Sequence, residues 1–201
     1  ADGGWVVTWQ THSFANWNDV ILVHRYDADG VLVGDPITVD ETEASLEKPV
    51  IVATRDGGWA TIWMERDNDS RSAIAWGRVF DATGDAGERF AIGHDISTAN
   101  FPDIVELANG DLLTLHHGPI DGVSTKSLVT TRITRDDPAV PVVESVDDIV
   151  SAANNAQLTA LQDGGYLPSC YFGLRCRKNP PRATACDRAN EKKRKNAING
   201  E

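Results

Sequence analysis

Histidines are the first residues that could hold a metal ion, and His116 and His117 are the most obvious pair. Adjacent residues of a strand point to opposite faces, so these two imidazoles cannot easily bind one ion. His12, His24 and His94 have no regular spacing and no evident partner in the sequence. We therefore predict no metal site at the histidines.

The segment Asp67–Ser70 (Asp-Asn-Asp-Ser) looks like the start of a calcium loop, because alternating oxygen ligands can wrap a hard cation. The EF-hand pattern then requires Gly at its sixth position and Glu at its twelfth, where this chain has Ser72 and Arg78. A polar hairpin tip is the favoured interpretation, and calcium is the alternative. We predict no other cofactor.

Arginines and carboxylates could together form a glycosidase site. Arg25, Arg78 and Arg132 recur on corresponding predicted strands, and such a cluster could hold an acidic substrate. Pairing of these arginines with loop carboxylates is the favoured alternative. Glycoside hydrolysis needs two carboxylates roughly 5–10 Å apart, and the 30 acidic residues supply many candidates without identifying any. Since the sequence also lacks a nucleophile elbow, a phosphate-binding Gly loop and a His-Glu-x-x-His motif, it predicts no catalytic residue.

A repeat with a step of 53 or 54 residues must position all of these groups. Its main motif, Asp-Gly-Gly-Trp, occurs in strict or looser form at Asp2–Trp5, Asp56–Trp59, Asn109–Leu112 and Asp163–Tyr166. A second motif keeps the same step, as Tyr26–Gly30 and Phe80–Gly84. Such a period is typical of stacked or radially arranged structural units.

Each repeat contains four short segments that favour β-strands, which in the first unit are residues 4–10, 20–26, 35–39 and 49–54. Asp27, Asp29 and Asp81 suit the tight turns between strands without any ion. Polar residues interrupt every apolar run too soon for an amphipathic helix. Four strands per repeat predict an all-β, propeller-like array of antiparallel blades.

Large, mostly aromatic residues recur at two positions of the repeat and are expected to pack between blades. The first position holds Trp5, Trp59, Leu112 and Tyr166, and the second holds Trp9, Trp63 and His116. A sugar-stacking platform is the alternative, and it would need exposed rings.

The predicted array covers residues 1–167, as units 2–55, 56–108 and 109–162 and a partial unit 163–167. Closed propellers have about 4 to 8 blades, so the ring is incomplete. A longer parent protein is the favoured explanation, while several chains completing one ring and an open array are the alternatives. The number of subunits is left open.

Residues 168–201 differ in composition from the array. A strand with a large residue at position 170 is expected after Tyr166, but Cys170 and then a basic stretch follow. The three cysteines, Cys170, Cys176 and Cys186, match no zinc-ligand spacing. We predict a poorly ordered tail, arising from a frame change or a junction. A native basic tail that binds a membrane surface or nucleic acid is the alternative.

Charge limits the possible partners. Residues 1–167 carry 10 basic and 27 acidic side chains, a net charge of −17, whereas residues 168–201 carry a net charge of +6. An acidic surface repels phosphate backbones, so we expect no nucleic acid to bind the array. No apolar run is long enough to span a bilayer.

The repeat resembles a group of known sequences. Asp2–Gln10, Arg25–Gly30 and Pro36–Val39 look like the blade-like repeats of large secreted bacterial proteins, often found beside repeats-in-toxin calcium-binding segments. This resemblance implies a secreted or cell-surface, non-catalytic scaffold or adhesive role, with an extracellular protein or carbohydrate as partner. The calcium-binding nonapeptide of that wider group is absent here, so its metal sites are not implied.

A fainter resemblance connects Phe101–Leu107 and Asn109–Leu113 with sialidase-type propellers. That resemblance implies a fragment of a glycoside hydrolase with an arginine cluster for a carboxylate substrate. The Asp-box turn of those enzymes is absent from this chain. A non-catalytic interaction segment is therefore the first hypothesis, and a propeller glycoside hydrolase is the second.

Overall fold

The computed structural model describes residues 3–13, 15–67, 73–94, 102–118, 127–134, 142–147 and 154–171. Within these ranges there are thirteen strands and no helix, hence no helix that could cross a membrane. The strands are β1 (Trp5–His12), β2 (Asp19–Tyr26), β3 (Ile37–Thr42), β4 (Ser45–Ala53), β5 (Trp59–Arg66), β6 (Ala73–Phe80), β7 (Phe90–Gly93), β8 (Asp103–Glu106), β9 (Leu112–Gly118), β10 (Ser127–Ile133), β11 (Val142–Asp147), β12 (Asn154–Ala160) and β13 (Tyr166–Tyr171).

These strands form four antiparallel sheets in which neighbours in space are neighbours in sequence. The first sheet contains β1–β3, the second β4–β7, the third β8–β11 and the fourth β12 and β13. This order is the meander expected when short turns connect successive strands. The prediction of an all-β, propeller-like array of antiparallel sheets is therefore confirmed. In the described residues the second and third sheets have the predicted four strands, whereas the first has three and the fourth has two.

The sheets are shifted by one strand relative to the predicted units. Unit 2–55 was expected to end with the strand at residues 49–54, but Ser45–Ala53 pairs with β5 in the second sheet. Asp103–Glu106 likewise pairs with β9 instead of closing the unit before it. The reason is local: Asp-Gly-Gly-Trp forms a hairpin turn, and a tight turn joins two strands of the same sheet. Gly57 and Gly164 take positive φ values of 91° and 85° in equivalent turns.

A strand is also present where none was expected. β13 runs from Tyr166 to Tyr171 and crosses the predicted boundary between residues 167 and 168. Pro168 faces Leu158, whose N–H donates to Asp103 Oδ2 at 2.6 Å instead of to β13. The pair is therefore not hydrogen-bonded, and Pro168 costs the ladder no bond. The predicted disorder of the remaining tail concerns residues 172–201, which lie outside the described residues.

The core consists of apolar layers between successive sheets. Between the first and second sheets, Ile21, Val23 and Val39 pack with Trp59 and Trp63. The second layer includes Ile62, Met64, Ile104, Leu112 and Ile133, and the third includes Leu113, Leu115, Leu128, Ala156 and Leu158. Each middle sheet is thus covered on both faces, which places Trp59 and Trp63 between sheets as the repeat predicted.

Candidate functional site

The three repeated arginines lie apart and serve structural contacts. Arg25 donates to the carbonyl oxygens of Ala82 and Thr83, at 2.9 and 2.7 Å, and so links the first sheet to a turn of the second. Its guanidinium also lies 5.5 Å from the centre of the Trp59 ring. The structure therefore joins Arg25 to the neighbouring sheet, whereas the sequence favoured a loop carboxylate.

The other two arginines have different partners. Arg78 donates to the carbonyl oxygen of Val39 at 2.5 Å. Of the three, Arg132 is the one that meets a carboxylate among the described residues, with its Nη1 3.0 Å from Asp111 Oδ2. In the described residues these arginines form no common anion-binding cluster.

His116 and His117 are buried on opposite faces of β9. Each residue is 6% exposed, and His116 Nδ1 and His117 Nε2 have no hydrogen-bond partner among the described residues. Burial, and to a smaller extent the neighbouring His117, lowers the pKa of His116 from its ordinary value of 6.5 to about 4. Burial also lowers the pKa of His117. Both side chains therefore pack as neutral imidazoles at pH 7.

The remaining histidines partly contradict the expectation that they lack partners. His12 Nδ1 lies 2.5 Å from Asp19 Oδ1, across the ends of β1 and β2. His24 contacts the edge of the Trp9 ring, with 4.7 Å between ring centres. These contacts depend on strand register, which spacing in the sequence does not reveal.

The turn carboxylates bind backbone amides. Asp27 Oδ1 accepts hydrogen bonds from the amides of Asp29 and Val31 at 3.0 and 2.8 Å. Asp81 Oδ1 accepts the Thr83 hydroxyl at 2.6 Å and the Thr83 amide at 2.8 Å, and these bonds lower the Asp81 pKa. No group of three or more metal-binding side chains occurs in the described ranges. Of the calcium candidate Asp67–Ser70, only Asp67 belongs to those ranges.

Two non-glycine residues, Trp17 and Lys48, have positive φ values of 63° and 54°. Lys48 lies at a β-bulge in β4, where its N–H donates to Gln10 Oε1 at 2.9 Å. Beside it, Arg66 Nη2 is 2.7 Å from Glu47 Oε1. Partial burial lowers the pKa of Lys48. The hydrogen bond from the Lys48 amide to Gln10 connects the bulge in β4 to β1, and so links the first two sheets.

One side of the first sheet carries exposed apolar and aromatic side chains. We call the side chains of Trp5, Val7, Trp9, His24 and Tyr26 the aromatic face. They share one side of the β1–β2 pair, since Trp5 faces Tyr26 and Val7 faces His24 across the strands. The rings of Trp5 and Tyr26 stack at 4.0 Å, yet Trp5 remains 48% exposed.

The corresponding rings of the second sheet are covered. Trp59 and Phe80 also stack, at 5.1 Å, but Trp59 is only 1% exposed because the first sheet packs on it. Trp5 therefore departs from the predicted packing between blades. The two tryptophans occupy the same position of the repeat. Repeat spacing therefore cannot show which of them is covered by a neighbouring sheet.

Comparison with known proteins supports the architecture. No protein-family model matches the chain, and no curated protein is significantly similar in sequence. Among solved structures, an α-L-arabinanase from Penicillium chrysogenum complexed with arabinobiose is similar, with a TM-score of 0.50 and 13% identity. The likeness covers 83% of this chain but only 53% of the arabinanase chain. At this identity it establishes a propeller-like fold alone.

Proposed function

We propose that this chain is a non-catalytic scaffold or interaction segment of a secreted or cell-surface bacterial protein, and that its aromatic face binds another β-sheet. The observation that carries the proposal is the exposure of Trp5 in a position whose counterpart, Trp59, is covered by a sheet. Aromatic side chains supply much of the binding energy in protein interfaces. The partner is a sheet with branched aliphatic side chains, like the surface formed by Ile21, Val23 and Val39.

The chemistry of the other candidate residues agrees with this role. Arg25 and Arg78 bind backbone carbonyls, Arg132 pairs with Asp111, and His116 is buried. These groups stabilise sheets and turns. A scaffold needs no further reacting group, whereas an enzyme would need acid and base residues that lie together in one cleft.

Sedimentation velocity of the purified chain tests the proposal, because the exposed aromatic faces of two copies can pack on each other, whereas the Ile21, Val23 and Val39 surface of each copy is already buried. We expect reversible association that grows with protein concentration, since exposed apolar faces bury each other. The change Trp5→Glu should abolish it. The matched control Val31→Glu alters another exposed apolar residue, outside the aromatic face, and should leave association unchanged. A chain that stays monomeric at high micromolar concentration would refute the proposal.

A second candidate is a fragment of a propeller glycoside hydrolase, as the sialidase resemblance implies. The structural similarity to an arabinanase supports it at the level of the fold. Release of reducing sugar from arabinan, or of sialic acid from a sialoside, tests this candidate. Turnover of either substrate by the purified chain would favour the hydrolase, and its absence would favour the scaffold.

A further inference from the structure

Trp17 has an unusual combination of exposure and backbone conformation. It lies in the loop between β1 and β2, is 77% exposed and has a φ of 63°. A left-handed backbone is unfavourable for a bulky side chain, and such residues concentrate at functional sites. An exposed ring brings no packing energy to offset this conformation. We therefore look for the role of Trp17 in binding a ligand rather than in stabilising the fold.

Backbone and side-chain hydrogen bonds connect the described residues of the loop. The Ser13 amide donates to the Asn18 carbonyl oxygen at 2.8 Å, and the Trp17 amide donates to the Ser13 carbonyl oxygen at 2.9 Å. The Asn18 amide donates to Asn16 Oδ1 at 3.1 Å. The ring thus projects from a preorganised loop, which lowers the entropic cost of binding a ligand.

Hydrogen-bonding residues adjoin Trp17 in the sequence. Asn16 Nδ2 and Asn18 Nδ2 donate to the same Glu41 Oε1, at 2.9 and 3.4 Å. An amide nitrogen carries two hydrogens and a carboxylate has two oxygens, so this group can also bind hydroxyls. We call Trp17, Asn16, Asn18 and Glu41 the loop cluster.

We propose that the loop cluster binds a neutral glycan. The flat C–H face of a sugar ring can stack on the Trp17 indole, while its hydroxyls bond to the amide and carboxylate groups beside it. Glu41 and the net charge of −17 over residues 1–167 disfavour anionic sugars. The residues on either side of Trp17 in the sequence are both asparagines, so its immediate neighbours suit a ligand rich in hydroxyls better than an apolar protein surface. This inference goes beyond the scaffold role and uses a different surface.

Isothermal titration calorimetry with soluble oligosaccharides from neutral arabinan, xylan, mannan and β-glucan tests the proposal. We expect at least one of them to bind, and Trp17→Gly to weaken its binding by about tenfold or more, as for an interface hot spot. Glycine also accepts the positive φ, so this variant should fold at least as well as the parent. Trp17→Tyr keeps a ring and should retain most of the affinity.

Controls separate this site from the aromatic face. Trp5→Ala removes another exposed tryptophan and should leave glycan binding unchanged, although it should weaken association of the chain. Polygalacturonate, an acidic polymer, should not bind. The proposal is overturned if none of the four neutral oligosaccharides binds at millimolar concentration, if Trp17→Gly binds as well as the parent, or if Trp17 instead mediates binding to neutral lipid vesicles.

Discussion

Protonation of His116 opposes folding, because the folded chain holds this imidazole in a dry environment. Its pKa falls from 6.5 to about 4 on folding, so the unfolded chain binds the proton more tightly. The free energy of unfolding is therefore expected to fall as the pH drops from 6.5 towards 4. At pH 5 this group alone should cost about 2 kcal/mol relative to neutral pH.

Urea denaturation at pH 7 and pH 5 measures this effect. His116→Leu should remove about 2 kcal/mol of the pH dependence. His117 shifts in the same direction, so part of the dependence should remain in the single variant. An unchanged pH dependence in His116→Leu would show that this side chain does not titrate in that range.

For individual residues, the sequence predicts the turns better than the contacts. Asp27 and Asp81 accept backbone amides in turns, as their residue types suggested. By contrast, the partners of Arg25 and His12 depend on which strands meet, and the conformation of Trp17 depends on its loop. Residue spacing shows neither which strands pair nor which backbone conformation a loop residue adopts.

At the scale of a single element, the turn before β5 tolerates no side chain at its second glycine. A Cβ at Gly58 would lie 2.2 Å from the Phe80 carbonyl oxygen, so backbone would have to move. We expect Gly58→Ala to destabilise the protein by about 2 kcal/mol or more. Thermal denaturation would measure this loss.

Gly87 supplies the matched control for that change. A Cβ there would meet the Val79 carbonyl oxygen at 3.4 Å, an ordinary contact. Gly87→Ala should therefore change stability by less than about 1 kcal/mol. Equal stability of the two variants would contradict the close packing of the β4–β5 hairpin against β6.

The sequence predicts that a segment is a strand more readily than it predicts which sheet the strand joins. The segment at residues 49–54 has clear strand composition, but whether it joins the sheet before or after it depends on tertiary packing. β13 was missed because Pro168 and Cys170 weaken its strand pattern, while its pairing with β12 relies on backbone groups that every sequence carries. Tertiary context decided both cases.

At the scale of the whole molecule, each sheet depends on its neighbour, as in repeat proteins generally. Trp63 is fully buried between the first two sheets. Trp63→Ala should cost about 3–5 kcal/mol and loosen the first sheet selectively. Hydrogen exchange should then accelerate in β1–β3 more than in β8–β10.

Trp5→Ala is the control, because this ring is half exposed and covered by no described sheet. It should cost about 1 kcal/mol or less and leave the exchange of β4–β7 unchanged. Uniform acceleration across all sheets in Trp63→Ala would mean that the array unfolds as one unit.

The sheets are shifted by one strand relative to the repeat motif, and this shift determines where segments of such a protein can be exchanged with those of another. A gene cut at Asp-Gly-Gly-Trp divides a hairpin and separates β4 from β5, or β8 from β9. A cut between Thr42 and Ser45, or between Gly93 and Asp103, keeps each sheet whole. The exchangeable module is therefore about residues 45–93 rather than 56–108, and chimeras joined at those positions are the ones expected to express as soluble protein.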